Sequence, residues 1–193
     1  MKLKVEDLLS LEAYDGQRDL IKKQLIEHKR NRTLSVGDNI VLIFEDYKTI
    51  QYQVQEMLRI EKIFNQKEIQ EEIDAYNPLI PDGTNFKATM LIMYPDVEER
   101  KIMLNKLHDI ENQVWILCGD KKVFALADED LDRSTDDKTS AVHFLRFELD
   151  DEAIESFISS NEIIIGINHS EYDAETVLSE NIRESLSKDL VRS

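Results

Sequence analysis

Residues 114–127, Val-Trp-Ile-Leu-Cys-Gly-Asp-Lys-Lys-Val-Phe-Ala-Leu-Ala, place an apolar run on each side of a polar turn, Gly119 to Lys122. This pattern predicts a hairpin in which 114–118 pairs with 123–127, and a hairpin makes its sheet antiparallel. Downstream, strand-like runs at 141–149 and 163–168 flank a short predicted helix at 152–158. Upstream, 86–94 reads as a strand. Residues 96–107 read as a helix whose acidic first turn suits the positive end of the helix dipole.

Further upstream the pattern becomes helical. After a turn at Asp15-Gly16, Leu20, Ile21, Gln24, Leu25 and His28 share helical spacing over 17–32. That run ends in His28-Lys-Arg-Asn-Arg, whose positive charge faces the negative end of the dipole and is also a candidate for holding an anion. A turn at Gly37-Asp38 precedes a β-branched strand at 39–44, and Thr49 is the expected N-cap of a helix over 50–64. A second helix, 67–76, stops at Asn77-Pro78, because proline disfavours helical geometry in the residue before it. Helices bunched early and strands late predict an α+β fold. The expected form is a mainly antiparallel or mixed sheet with helices packed on one side and an N-terminal helical portion. With no repeat and no Pro-rich or Gly-rich linker, residues 1–193 read as one domain. It closes on an acidic C-terminal helix within 173–193, covering 173–190 and frayed at its end, and residues 148–193 hold twelve Asp or Glu against three Lys or Arg.

Composition narrows the function. The 193 residues carry 40 acids against 24 Lys and Arg, a formal charge of -16 that repels a phosphate backbone and argues against nucleic-acid binding. No apolar run reaches the ~20 residues needed to span a bilayer, and the first residues lack a signal-peptide core, so a cytoplasmic protein is expected. A single cysteine, Cys118, leaves no internal disulfide or Cys-x-x-Cys pair, and its place in an apolar strand marks it as a core residue rather than a nucleophile. The five glycines are isolated, which excludes a P-loop and a dinucleotide fingerprint. The acidic stretch 128–137 lacks the ligand order and central glycine of a calcium loop.

The remaining chemistry lies in carboxylates and imidazoles. Glu61 falls seven residues after Val54 and three after Leu58, which turns it toward the apolar side of its helix and calls for a cationic partner. Glu56, Glu61 and Glu72 from the helical hairpin, with His143 and His169 from the sheet, form a candidate site for a divalent metal: iron, manganese or zinc. The plainer reading is a solvated glutamate face and core histidines. Arg59 and Arg146 form a candidate anion clamp, since guanidinium forks match carboxylates and phosphates; their ordinary use is to neutralise glutamates such as Glu61.

Several blocks together resemble an uncharacterised bacterial family known only as a domain of unknown function. They are Ile43-Phe-Glu45, Thr49, Gln53-Val-Gln-Glu-Met-Leu-Arg-Ile-Glu61, Tyr76-Asn-Pro-Leu-Ile-Pro81, Ala88-Thr89, Val142-His-Phe-Leu-Arg-Phe147, His169 and Tyr172. The resemblance covers nearly the whole chain. It implies a stand-alone cytosolic domain encoded near rubrerythrin-like and iron–sulfur oxidoreductase genes. It therefore implies either a metal-binding accessory protein in iron or oxidative-stress metabolism, or a non-catalytic protein that docks such an oxidoreductase through its acidic surface. It carries no catalytic residues over, and leaves open whether the protein is an enzyme and what its oligomeric state is.

Overall fold

The computed structural model describes residues 2–127, 139–160 and 162–191; the acidic stretch considered as a calcium loop lies outside them. The described residues form six α-helices and nine strands, an α+β fold with two antiparallel sheets. The helices are α1 (Leu11–Arg30), α2 (Tyr47–Glu61), α3 (Gln66–Tyr76), α4 (Val97–Lys106), α5 (Asp151–Ser159) and α6 (Glu180–Ser187). The strands are β1 (Thr33–Val36), β2 (Ile40–Glu45), β3 (Asn85–Ile92), β4 (Val114–Cys118), β5 (Lys121–Phe124), β6 (Leu126–Ala127), β7 (Val142–Glu148), β8 (Ile164–His169) and β9 (Tyr172–Val177). No helix among the described residues is long and apolar enough to cross a membrane.

One sheet runs β1-β2-β3-β7-β6 and the other β5-β4-β8-β9. The segment 121–127 serves both, leaving the second sheet at Phe124 and entering the first at Leu126. At the far edges β1 and β9 meet through side chains. The Tyr172 hydroxyl donates to the Val36 carbonyl at 2.7 Å and accepts from the Asn39 N–H at 3.1 Å, and the Thr176 hydroxyl donates to the Ser35 carbonyl at 3.0 Å. The edge strands of the two sheets are thus joined at this seam by side-chain hydrogen bonds rather than by strand pairing. Gly37 makes the seam feasible: its φ is +67°, and a Cβ there would stand 2.5 Å from the Tyr172 hydroxyl.

The main core lies where the inner faces of both sheets meet α5 and α6. Alternation on β7 buries His143, Leu145 and Phe147. Phe157 of α5 reaches the sheet through Phe86, with ring centroids 4.8 Å apart. A second, smaller core gathers Leu3, Ile50, Val54, Leu58, Ile73 and Ile80 where α2 and α3 pack on the N-terminal segment.

Four expectations are corrected. Asp15-Gly16 is not a turn: Ser10 caps α1 by accepting from the Ala13 N–H, buried Tyr14 anchors the first turn, and the helix continues through Gly16. The N-cap of α2 is Asp46 rather than Thr49, which instead returns a hydroxyl to the Asp46 N–H in a capping box. Glu61 is exposed, because it is the last residue of α2 and lies past the buried stripe that ends at Leu58. The closing helix over 173–190 is absent as such. Residues 172–177 form β9, with Tyr172, Ala174 and Thr176 half-buried and Asp173, Glu175 and Val177 exposed, and only Glu180–Ser187 is α-helical.

Candidate functional site

The five carboxylates and imidazoles expected to bind metal are spread over the molecule. Glu56 accepts from Arg18 Nε at 2.7 Å, Arg18 Nη2 at 2.8 Å and the Tyr14 hydroxyl at 2.6 Å. His143 is buried, its Nε2 lying 2.8 Å from both Thr139 Oγ1 and the Ser140 carbonyl and 3.8 Å from Glu111. His169 Nδ1 accepts from the Glu171 N–H, so the proton sits on Nε2, which donates to the His108 carbonyl at 3.0 Å; the ring braces the β8–β9 turn. Glu61 and Glu72 do come near each other across the helical hairpin. Burial and then the Glu61 charge raise the Glu72 carboxyl above its ordinary range. Among the described residues no group of three His, Cys, Asp or Glu side chains is placed to hold a metal ion.

Arg59 and Arg146, expected as an anion clamp, each lie beside a carboxylate. Arg59 lies 3.5 Å from Asp15, and Arg146 pairs with Glu148 two residues along the same strand. Cys118 is buried, and burial pushes its thiol up to about 12, which keeps it protonated and unreactive.

The Glu56 cluster has a measurable consequence. Hydrogen bonding from Arg18, opposed by burial, lowers the Glu56 carboxyl from 4.5 to about 2. The ionised carboxylate stabilises the fold fully above its unfolded pKa, and that stabilisation is lost as pH falls through the folded value. We expect Glu56→Gln to cost ~2 kcal/mol at neutral pH, with the gap to the parent closing between pH 4.5 and pH 2 in urea titrations. A gap that does not change with pH would show that the ion pair is not its source.

A different set of residues surrounds a polar cavity of about 650 Å³ where the end of α1, the start of α2, the 80–83 loop and α6 converge. Arg32 forms its floor, 1% exposed, with a fully used guanidinium. Nε donates to the Phe44 carbonyl and Nη2 to the Glu45 carbonyl, both at 2.9 Å, while the other contacts reach Ser185 and Asp189 of the C-terminal segment. Burial raises the Asp189 carboxyl, and the Arg32 charge and hydrogen bond pull it back.

At the wall of this cavity His28 Nε2 lies 2.6 Å from Asp46 Oδ2. Asp46 cannot turn away, because its Oδ1 caps α2 by accepting from the Thr49 N–H at 3.0 Å. His28 Nδ1 has no hydrogen bond among the described residues. Of the four lining acids, Asp46, Asp82 and Asp189 are hydrogen-bonded, by Thr49 and His28, by Thr84, and by Arg32, while Glu184 has no partner among the described residues. The lining ammonium groups of Lys48 and Lys188 have no partner among the described residues. The cavity therefore offers two unpaired ammonium groups against one unpaired carboxylate, Glu184, beside a histidine held in place by Asp46. That arrangement can hold a small anion and exchange a proton with it. The cation lying between Asp46 and Asp189 is Arg32 itself, so this cavity is not a metal cage.

The sequence signal for this site was the basic run at 28–32, but Asp46 and Lys188 come from elements that only the fold brings beside it.

The family model described as "Protein of unknown function (DUF3501)" matches residues 2–190. A crystal structure of a novel protein of unknown function from Burkholderia pseudomallei K96243 is 44% identical to this chain. It superposes with a TM-score of 0.93, covering 99% of this chain and 100% of that one. No curated protein matches the chain.

Proposed function

We propose, since this chain belongs to the family Protein of unknown function (DUF3501), a function read from its own site: binding of a small organic anion at the junction of α1, α2 and α6. His28 serves as the group that gives or takes a proton, and Asp46 positions it. The observation that carries this reading is the pair of ammonium groups, Lys48 and Lys188, unpaired among the described residues in a cavity where three of the four lining acids, Asp46, Asp82 and Asp189, are already hydrogen-bonded and Glu184 is not. An unpaired ammonium on a concave surface is a ready partner for a carboxylate.

Acetate is the simplest probe. Titrated into the ¹⁵N-labelled protein, it should shift the signals of His28, Lys48 and Lys188, and the shifts should vanish in Lys48→Met/Lys188→Met. Asp46→Asn keeps a good N-cap while removing the charge, so it should stay folded and show whether the carboxylate matters for binding. Shifts scattered over surface lysines, unchanged in the double variant, would end this proposal.

A second reading is favoured by the net charge of -16: docking of a rubrerythrin-like or iron–sulfur oxidoreductase partner through the acidic surface. Its signature is association that weakens as salt rises. A metal-carrying role in iron or oxidative-stress metabolism has the support of the carboxylate and imidazole inventory. It needs Glu56, Glu61, Glu72, His143 and His169 to converge, or a partner to complete the site.

A further inference from the structure

A second cavity, of about 400 Å³, lies between α1 and α2, and two of its lining residues are His28 and Lys48, which also line the polar cavity. The two spaces therefore adjoin at the proton-exchanging end of the site. Their chemistry differs. The second is walled by Leu9, Ile21, Leu25, Tyr14 and Tyr52, together with glutamine amides and Asp7. Two of those amides are already committed: Gln55 donates to the Leu9 carbonyl and accepts from the Leu9 N–H, and Gln51 donates to the Asp7 carbonyl. Those bonds, with Asp7 accepting from the Lys4 N–H, take up much of the wall's polarity, so apart from the Gln24 amide the surface it offers a ligand is largely aliphatic and aromatic. Tyr14 is held as well, its hydroxyl donating to Glu56.

Resting on the anion-binding reading above, we infer that the ligand is an organic acid with an apolar or aromatic tail. Its carboxylate sits by Lys48 and His28, and its tail lies between α1 and α2. A singly charged carboxylate suits the head position better than a doubly charged phosphate, because Asp46, Asp82, Glu184 and Asp189 also line that space. A ring of about benzene size fits a cavity of 400 Å³ with room for a short linker.

The test compares acetate with 3-phenylpropionate on the full chain by NMR titration. Both should shift His28 and Lys48; only the tailed acid should also shift Tyr14 and Tyr52, and it should bind about tenfold tighter or more from burial of the ring. Ile21→Trp and, separately, Gln24→Trp fill the second cavity from α1. Each should abolish that advantage while leaving acetate binding unchanged. If 3-phenylpropionate binds no tighter than acetate, or keeps its advantage in both filled variants, the tail inference is overturned and the anion site stands. If neither acid shifts His28 or Lys48, the anion site falls and this inference falls with it.

Discussion

Gly166→Ala should destabilise the protein by about 3 kcal/mol or more, lowering Tm by roughly 10 °C. Gly166 of β8 lies directly across from Trp115 of β4, and the indole lies over the space where a side chain would be. A Cβ at Gly166 would stand 2.2 Å from Trp115 Cζ2 and 2.7 Å from Cε2. The ring has no easy retreat. Trp115 is 2% exposed, and Lys122 covers it with an ammonium 3.6 Å from the ring centroid. Trp115 is the only tryptophan, so its fluorescence reports the damage directly. Trp115→Val removes the clash, and Gly166→Ala should cost far less in that background; this coupling distinguishes a steric conflict from a loss of strand flexibility. Equal costs in the two backgrounds would refute the packing explanation.

Arg32→Met should be comparably severe, at about 3–5 kcal/mol, because it deletes the buried partner of a buried acid. Asp189 would lose its counter-charge, and the Phe44 and Glu45 carbonyls would lose their donors at the end of β2. Arg32→Lys should recover only part of the loss, since a single ammonium cannot reach both carbonyls and the carboxylate in the way a guanidinium fork does. Chemical denaturation of the two variants beside Asp189→Asn provides the comparison. If Arg32→Met is nearly neutral, the guanidinium is not what ties α6 to the body of the protein.

What the sequence reveals and what it hides differ for physical reasons. The hairpin around Gly119 is legible because both arms are apolar and the turn is polar, and β4 and β5 do pair there. That the second arm leaves one sheet at Phe124 and joins the other at Leu126 is a tertiary choice with no local mark, since Phe, Ala and Leu suit either sheet. β9 is concealed by composition: Asp173 and Glu175 face solvent and resemble a helix surface, whereas Tyr172, Ala174 and Thr176 carry a two-residue period that the acids obscure. The site shows the same limit. Arg32 and Arg146 look alike in the chain, yet one is 1% exposed beneath a cavity and the other pairs on the surface with Glu148. The difference arises from the segment just after α6, whose Asp189 lies 157 residues beyond Arg32.

The seam between β1 and β9 bears on how the chain reaches this state. Its two hydroxyl-to-carbonyl bonds join residues 136 and 141 positions apart, so neither can form until most of the molecule has been brought together. Closing loops of that length costs entropy that only later contacts return, which places the seam late in folding and makes the whole process slow for its size. Until it closes, β1 and β9 are unpaired along one side, and an intermediate halted there would present two strand edges to its neighbours. The acids that alternate outward along β9, Asp173 and Glu175, also supply like-charge repulsion that discourages two such intermediates from adding strands to one another.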